Sequence, residues 1–97
     1  MTLPSGIRAC LWSWDHPSIN LRRDRRLIIT QVLNYGRWED VRWLLKHFER
    51  SDLRKVLRDP ARGQWLPDVL NFWMRRLNIR LSKTRIQAAR LSIRPAA

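Results

Sequence analysis

Twenty Lys and Arg against eight Asp and Glu give this 97-residue chain a net charge of +12, and its length allows one domain with a modest core, which argues against a second domain or a deep substrate cavity. The excess is graded: residues 1–21 balance, residues 22–59 carry eleven basic against six acidic side chains, and residues 60–97 carry eight against one, Asp68 being the last carboxylate. The single cysteine, Cys10, rules out an intramolecular disulfide and a thiolate-rich zinc site, and no window is apolar enough for a signal sequence or a membrane span, so a soluble cytoplasmic protein is expected.

In chain order, the first twenty residues read as an irregular arm containing Leu11-Trp12-Ser13-Trp14 and then Asp15-His16-Pro17-Ser18, a run of turn formers. Two tryptophans left in water would make a sticky surface, so Trp12 and Trp14 either fold back as a lid on the core or anchor a partner. From Arg22 to Tyr35 the apolar residues recur with helical period: Leu27, Ile28, Val32 and Tyr35 share a face that Ile29 and Leu33 widen. Asn20 is the expected N-cap, and Gly36 the expected stop through its access to the left-handed conformation. The cluster Arg22-Arg23-Asp24-Arg25-Arg26 sets positive charge at the positive end of the helix dipole, where it is either solvated surface or the mark of an anionic partner.

A second helix is predicted from Trp38 to Phe48, with Glu39 and Asp40 in its first turn and Lys46, His47 and Arg50 near its end, the order the dipole favours. Trp38, Val41, Leu44, Leu45 and Phe48 form its expected buried stripe. Trp43 lies about 200° round from Val41, among Glu39, Lys46 and Arg50; either the arm or another helix covers it, or it anchors a protein interface. Ser51 is the expected cap of a short third helix, Asp52 to Arg58, with Leu53, Val56 and Leu57 as its core face, ended by Asp59-Pro60. After the loop Ala61-Arg62-Gly63-Gln64, Trp65-Leu66-Pro67-Asp68 opens a fourth helix to Asn78 that buries Leu70, Trp73 and Leu77, with Val69 and Phe72 alongside. Beyond Ile79, a weak stripe of Ile86, Ala89 and Ile93 among basic residues makes either a frayed helix or a disordered tail, and either suits folding on a partner. The whole predicts an all-α fold: a small orthogonal bundle of four to five short helices at 21–79, an aromatic arm at 1–20 packing on it, and a basic tail at 80–97.

Catalysis needs several groups brought together, and the supply is thin. Cys10, Asp15 and His16 are neighbours on an arm without a scaffold to orient them, and His16 and His47 have no spacing partner that completes a metal site. Three scattered glycines form no phosphate loop. A non-enzyme without cofactor or metal is expected. The basic C-terminal third attracts polyanions by long-range Coulomb force. The helices Trp38–Phe48 and Asp52–Arg58, joined by Glu49-Arg50-Ser51, have the size and turn length of a DNA-binding helix pair, although Asp52 and Asp59 bracket the would-be recognition helix. The run Arg75, Arg76, Arg80, Lys83, Arg85 and Arg90 suits phosphate contacts better than base readout, and these six are the candidate nucleic-acid-binding residues. Trp43, Trp12 and Trp14 are the candidate protein-binding residues.

Four segments carry a resemblance. Leu33-Asn34-Tyr35-Gly36, then Trp38-Glu39-Asp40-Val41-Arg42-Trp43-Leu44, then Leu53-Arg54-Lys55-Val56-Leu57, then Leu70-Asn71-Phe72-Trp73 resemble an uncharacterised family of small helical prokaryotic proteins, DUF6922-like, over about residues 11–79. Members are often encoded beside abortive-infection-type nucleotidyltransferase toxins, so the resemblance implies an antitoxin-like protein that binds and masks a cognate toxin; operator binding through the basic surface is a second expected activity. It brings no established catalytic or binding residue, and it does not reach the tail after Arg80. The alternatives are a stand-alone DNA- or RNA-binding protein and a structural adaptor.

Overall fold

A computed structural model describes residues 4–11 and 19–91. Among these the chain is all-α, with six helices: α1 (Ser5–Cys10), α2 (Arg25–Tyr35), α3 (Trp38–His47), α4 (Arg50–Arg58), α5 (Pro67–Arg76) and α6 (Lys83–Ala89). Trp12, Trp14, Asp15, His16 and Ile93 lie outside the described residues.

The run from Ile28 to Asn34 is buried on all sides, which sets α2 at the centre of the bundle, against α1, α3, α4 and α5, with its ends Arg25, Arg26 and Tyr35 exposed. Gln31 and Asn34 use their inward amides to tie the helix to its surroundings, while the buried Thr30 hydroxyl has no hydrogen-bond partner among the described residues. Gln31 Nε2 donates to the carbonyl of Cys10 at 3.1 Å, and Asn34 Nδ2 donates to that of Thr30 at 2.8 Å. Asn34 Oδ1 in turn accepts from the backbone N–H of Leu66 at 2.9 Å, which ties the start of α5 to α2. Asn20 caps the turn leading into α2: its Oδ1 accepts from Arg22 and Arg23 N–H, both at 2.9 Å, while Asp24 reaches back to the Asn20 N–H at 2.8 Å. A hydrogen bond from the exposed Arg23 guanidinium, then the Asn20 N–H, holds the Asp24 carboxyl below its usual range.

Gly36 ends α2 for a reason other than the expected one. Its φ of −75° and ψ of 157° are extended, open to any residue. Space is what requires glycine: a Cβ there would lie 2.6 Å from the Val32 carbonyl oxygen and 3.1 Å from Asp40 Cβ.

The start of the chain, expected to be irregular, forms the short helix α1 with Ile7, Cys10 and Leu11 in the core. A Cβ on Gly6 would collide with the Asp40 carboxylate, so the backbone of α1 lies directly on the first turn of α3. Burial pushes the Cys10 thiol up to about 11, with the charge of Asp40 adding to the effect.

Carboxylates rather than hydroxyls start α3 and α4. Asp40 accepts from Arg37 N–H at 2.8 Å, and Asp52 accepts from Glu49 N–H at 3.0 Å, so α4 begins before Ser51, the expected cap. Helix α5 opens at Pro67 and ends in a Schellman turn: Asn78 is left-handed at φ 55°, with Ile79 N–H bonded to Met74 O at 2.8 Å. Trp65, expected in the first turn of that helix, instead stands before it in extended backbone and is fully buried. Its N–H bonds to Ala89 O at 2.9 Å and its carbonyl accepts from Leu91 N–H at 2.7 Å. This short parallel pairing holds α6 against the body, with Ala89 buried, and gives residues 83–91 one arrangement where sequence leaves two open.

Most of the expected core is buried, including Ile28, Val32, Val41, Phe48, Leu53, Val56, Leu57, Leu70, Trp73 and Leu77. Leu27 is half-buried. Four expected apolar contributors are out: Trp38 is 57% exposed, Phe72 53%, Leu45 46% and Tyr35 41%. Val41, Leu44 and Phe48 point α3 at α2, and Trp38 and Leu45 form a second stripe beside them that α2 does not cover.

Candidate functional site

Of the exposed apolar side chains, Trp38, Leu45 and Phe72 fall at one corner of the molecule, while Tyr35 lies at another cleft and Leu91 follows α6. The capped start of α3 sets Trp38 at its first position, and Leu45 follows seven residues later, two turns along the same face. Across from them, α5 contributes Trp73 and Leu77, with Leu53 of α4 between. Together these line an open groove of about 460 Å³, with Arg50 and Arg76 at its edge. Phe72 extends the apolar surface over α5, edge-on to Trp73 at 5.2 Å between ring centroids, and Arg75 and Arg76 flank it beside Asp68 and Asn71.

The arginines at this corner are held by carbonyls. Arg50 Nη2 donates to Arg76 O at 3.3 Å, and Arg54 Nη1 donates to Leu77 O, both at the C-terminal end of α5, where cations meet the negative end of the helix dipole. Elsewhere Arg23, Arg25, Arg26, Arg37 and Arg85 pair with carboxylates of Asp24, Asp52, Asp59, Glu39 and Asp59. Arg50, Arg54, Arg75, Arg76 and Arg80 form no ion pair with a carboxylate of the described residues. The corner is therefore apolar at its centre, with arginines at its rim that make no ion pair with a described carboxylate.

Trp43 occupies a different place. It is half-buried against the core, stacked on His47 at 4.2 Å between centroids and 24° between planes, and its carbonyl is 2.9 Å from His47 Nδ1. With Gly6, Cys10, Tyr35, Glu39 and Asp40 it lines a shallow cleft of about 680 Å³ between α1 and α3. Arg75, Arg76, Arg80, Lys83, Arg85 and Arg90 are all exposed, but they do not form one patch of equal character. Arg75 and Arg76 belong to the groove corner, Arg85 faces Asp59 at 3.8 Å, and Arg90 follows α6 beside the Trp65 pairing. In the helix pair α3–α4, Arg50 and Arg54 turn toward α5, which leaves Lys55 and Arg58 as the exposed cations of α4 not held there.

Trp38, Leu45, Phe72 and Arg50 were not among the sequence candidates. The available signal was the excess width of the apolar surface of α3: five apolar positions exceed what one neighbouring helix covers. Among the described residues, no group of three His, Cys, Asp or Glu side chains is placed to hold a metal ion, and no helix is long and apolar enough to cross a membrane.

Fold and surface together define a small all-α domain distinguished by an arginine-rimmed apolar groove. The chain belongs to a family of unknown function, DUF6922, whose profile matches residues 7–57. That match runs from within α1 through most of α4, so it starts earlier than the span read from sequence and leaves α5, one wall of the groove, outside it. No curated protein and no solved structure matches the chain significantly.

Proposed function

We propose that this chain is a non-catalytic, antitoxin-like cytoplasmic protein that binds and masks a cognate toxin through the α3–α5 corner. The observation that carries the reading is the exposure of Trp38, Leu45 and Phe72 beside arginines that no described carboxylate neutralises. Scattered exposed apolar residues need no explanation, whereas a clustered tryptophan, phenylalanine and arginine set is the composition of binding hot spots. The resemblance to antitoxin-like proteins supplies the class of partner, an abortive-infection-type nucleotidyltransferase. The test is co-expression with an abortive-infection-type nucleotidyltransferase toxin. Wild-type protein should rescue growth and co-purify with the toxin, and Trp38→Ala combined with Leu45→Ala should lose both while melting normally. A toxin neutralised equally well by the double variant, or not bound at all, refutes the reading.

A second reading, direct binding of operator DNA, is favoured by one observation: Arg75, Arg76, Arg80, Lys83, Arg85 and Arg90 are all exposed on a chain of net charge +12. Binding of that kind weakens steeply with salt, because neutralised phosphates release condensed counterions.

A further inference from the structure

We infer that the groove between α3 and α5 receives an amphipathic helix of a protein partner, its apolar side chains on Trp38 and Leu45 and its acidic side chains on Arg50 and Arg76. This rests on the toxin-masking reading and adds the chemistry of the segment that docks. Trp38 and Leu45 stand seven residues apart on one face of α3, a separation of about 10 Å at the rise of a helix. That is two turns, the spacing at which a docked helix presents apolar anchors at i, i+4 and i+7. Trp73 and Leu77, four residues apart, form the opposite wall.

Charge selects among possible occupants. No Asp or Glu lines the groove, and Arg50 is already oriented by its bond to Arg76 O at 3.3 Å, so an acidic segment meets cations whose direction is set in advance. A second copy of this chain would bring the same arginines face to face on a surface of net charge +12. Single-stranded nucleic acid needs successive π-faces along a basic track, and of the rings lining this groove Trp38 alone is exposed, Trp73 being buried and Leu45, Leu53 and Leu77 offering no ring. A lipid surface would touch the exposed Trp38 and Leu45 but leave empty the recess floored by Leu53, Trp73 and Leu77, which a docked helix fills.

The test is fluorescence anisotropy of the full chain against a labelled synthetic helical peptide with leucines at i, i+4 and i+7 and glutamates at both ends. A twin peptide carries glutamines in place of the glutamates. The acidic peptide should bind at least tenfold tighter than its twin. Trp38→Ala with Leu45→Ala should weaken both peptides more than tenfold, and Arg76→Gln, alone or with Arg50→Gln, should erase most of the difference between them. Circular dichroism melting confirms that each variant is folded. Equal affinity for the two peptides, indifference to Trp38→Ala, or tighter capture of a single-stranded oligonucleotide or of phosphatidylserine vesicles by this same face overturns the inference. The two proposals fail separately. Toxin capture that survives while neither peptide binds removes the helical segment and leaves masking in place; peptide binding without toxin capture does the reverse.

Discussion

Gly36→Ala separates two accounts of a single residue. Extended backbone at φ −75° and ψ 157° admits alanine without strain, so conformation alone favours the substitution, by about 0.4 to 1 kcal/mol through the unfolded chain. Packing opposes it. The new methyl would sit 2.6 Å from Val32 O, a backbone atom that already accepts the Gly36 N–H at 2.8 Å, with Val32 Cγ1 and Asp40 Cβ both at 3.1 Å. Relief requires the last turn of α2 to open, at roughly 1 to 3 kcal/mol for overpacking plus part of a hydrogen bond. The expected net loss is about 1 to 3 kcal/mol, or roughly 5 to 15 °C in melting temperature for a domain of this size. Gly63 provides the control with opposite causes: φ is +69° and a Cβ would meet nothing within 4 Å. Gly63→Ala should cost about 1 to 2 kcal/mol from conformation alone, and Gly63→Asn should recover most of it, because asparagine tolerates the left-handed region. Gly36→Asn should recover nothing. Thermal and urea denaturation followed by circular dichroism give all four values. A Gly36→Ala protein as stable as wild type or more so refutes the packing argument.

Trp38→Ala should leave stability within about 0.5 kcal/mol while weakening partner binding by more than 1 kcal/mol, measured by calorimetry, whereas Trp43→Ala, half-buried on the core, should lower stability by about 1 to 2 kcal/mol. Leu57→Ala, at the fully buried end of α4, should cost about 2 to 5 kcal/mol in the same denaturation assays. The Cys10 thiol is raised by burial in the folded chain, so its contribution to stability is complete below the unfolded value near 9 and is lost as pH rises toward about 11. Urea midpoints should fall across that window in wild type and not in Cys10→Ala, and iodoacetamide should alkylate the native thiol far more slowly than the unfolded one at pH 8. Replacing Arg80, Lys83, Arg85 and Arg90 by glutamine should leave toxin neutralisation largely intact and flatten the salt dependence of any DNA binding by roughly 0.9 per lost phosphate contact. Loss of neutralisation in that variant places the partner site on α6 instead of the groove.

Periodicity in the chain alone identified α2, α3, α4 and α5 within a few residues, because apolar positions at helical spacing and carboxylates in first turns are local properties. Chain length and periodicity together also made the fold all-α. What they could not decide was which apolar stripe of α3 meets the core. Trp38 and Leu45 adjoin Val41 and Leu44 on the helix surface, and only the position of α2 buries one pair and leaves the other in water. Ser5–Cys10 is too short for a periodic signal and is helical because Ile7, Cys10 and Leu11 find α2. Trp65 lies in a loop with no pattern of its own and is buried by pairing with residues 89–91, more than twenty positions away. Gly36 looked like a conformational stop, and the way α2 turns into α3, which brings the Val32 carbonyl and Asp40 Cβ against it, made it a steric one. The groove follows the same rule. Its residues Trp38, Leu45, Arg50, Leu53, Trp73, Arg76 and Leu77 come from three helices and share no local spacing, so the sequence contains each of them but only tertiary packing brings them to one face.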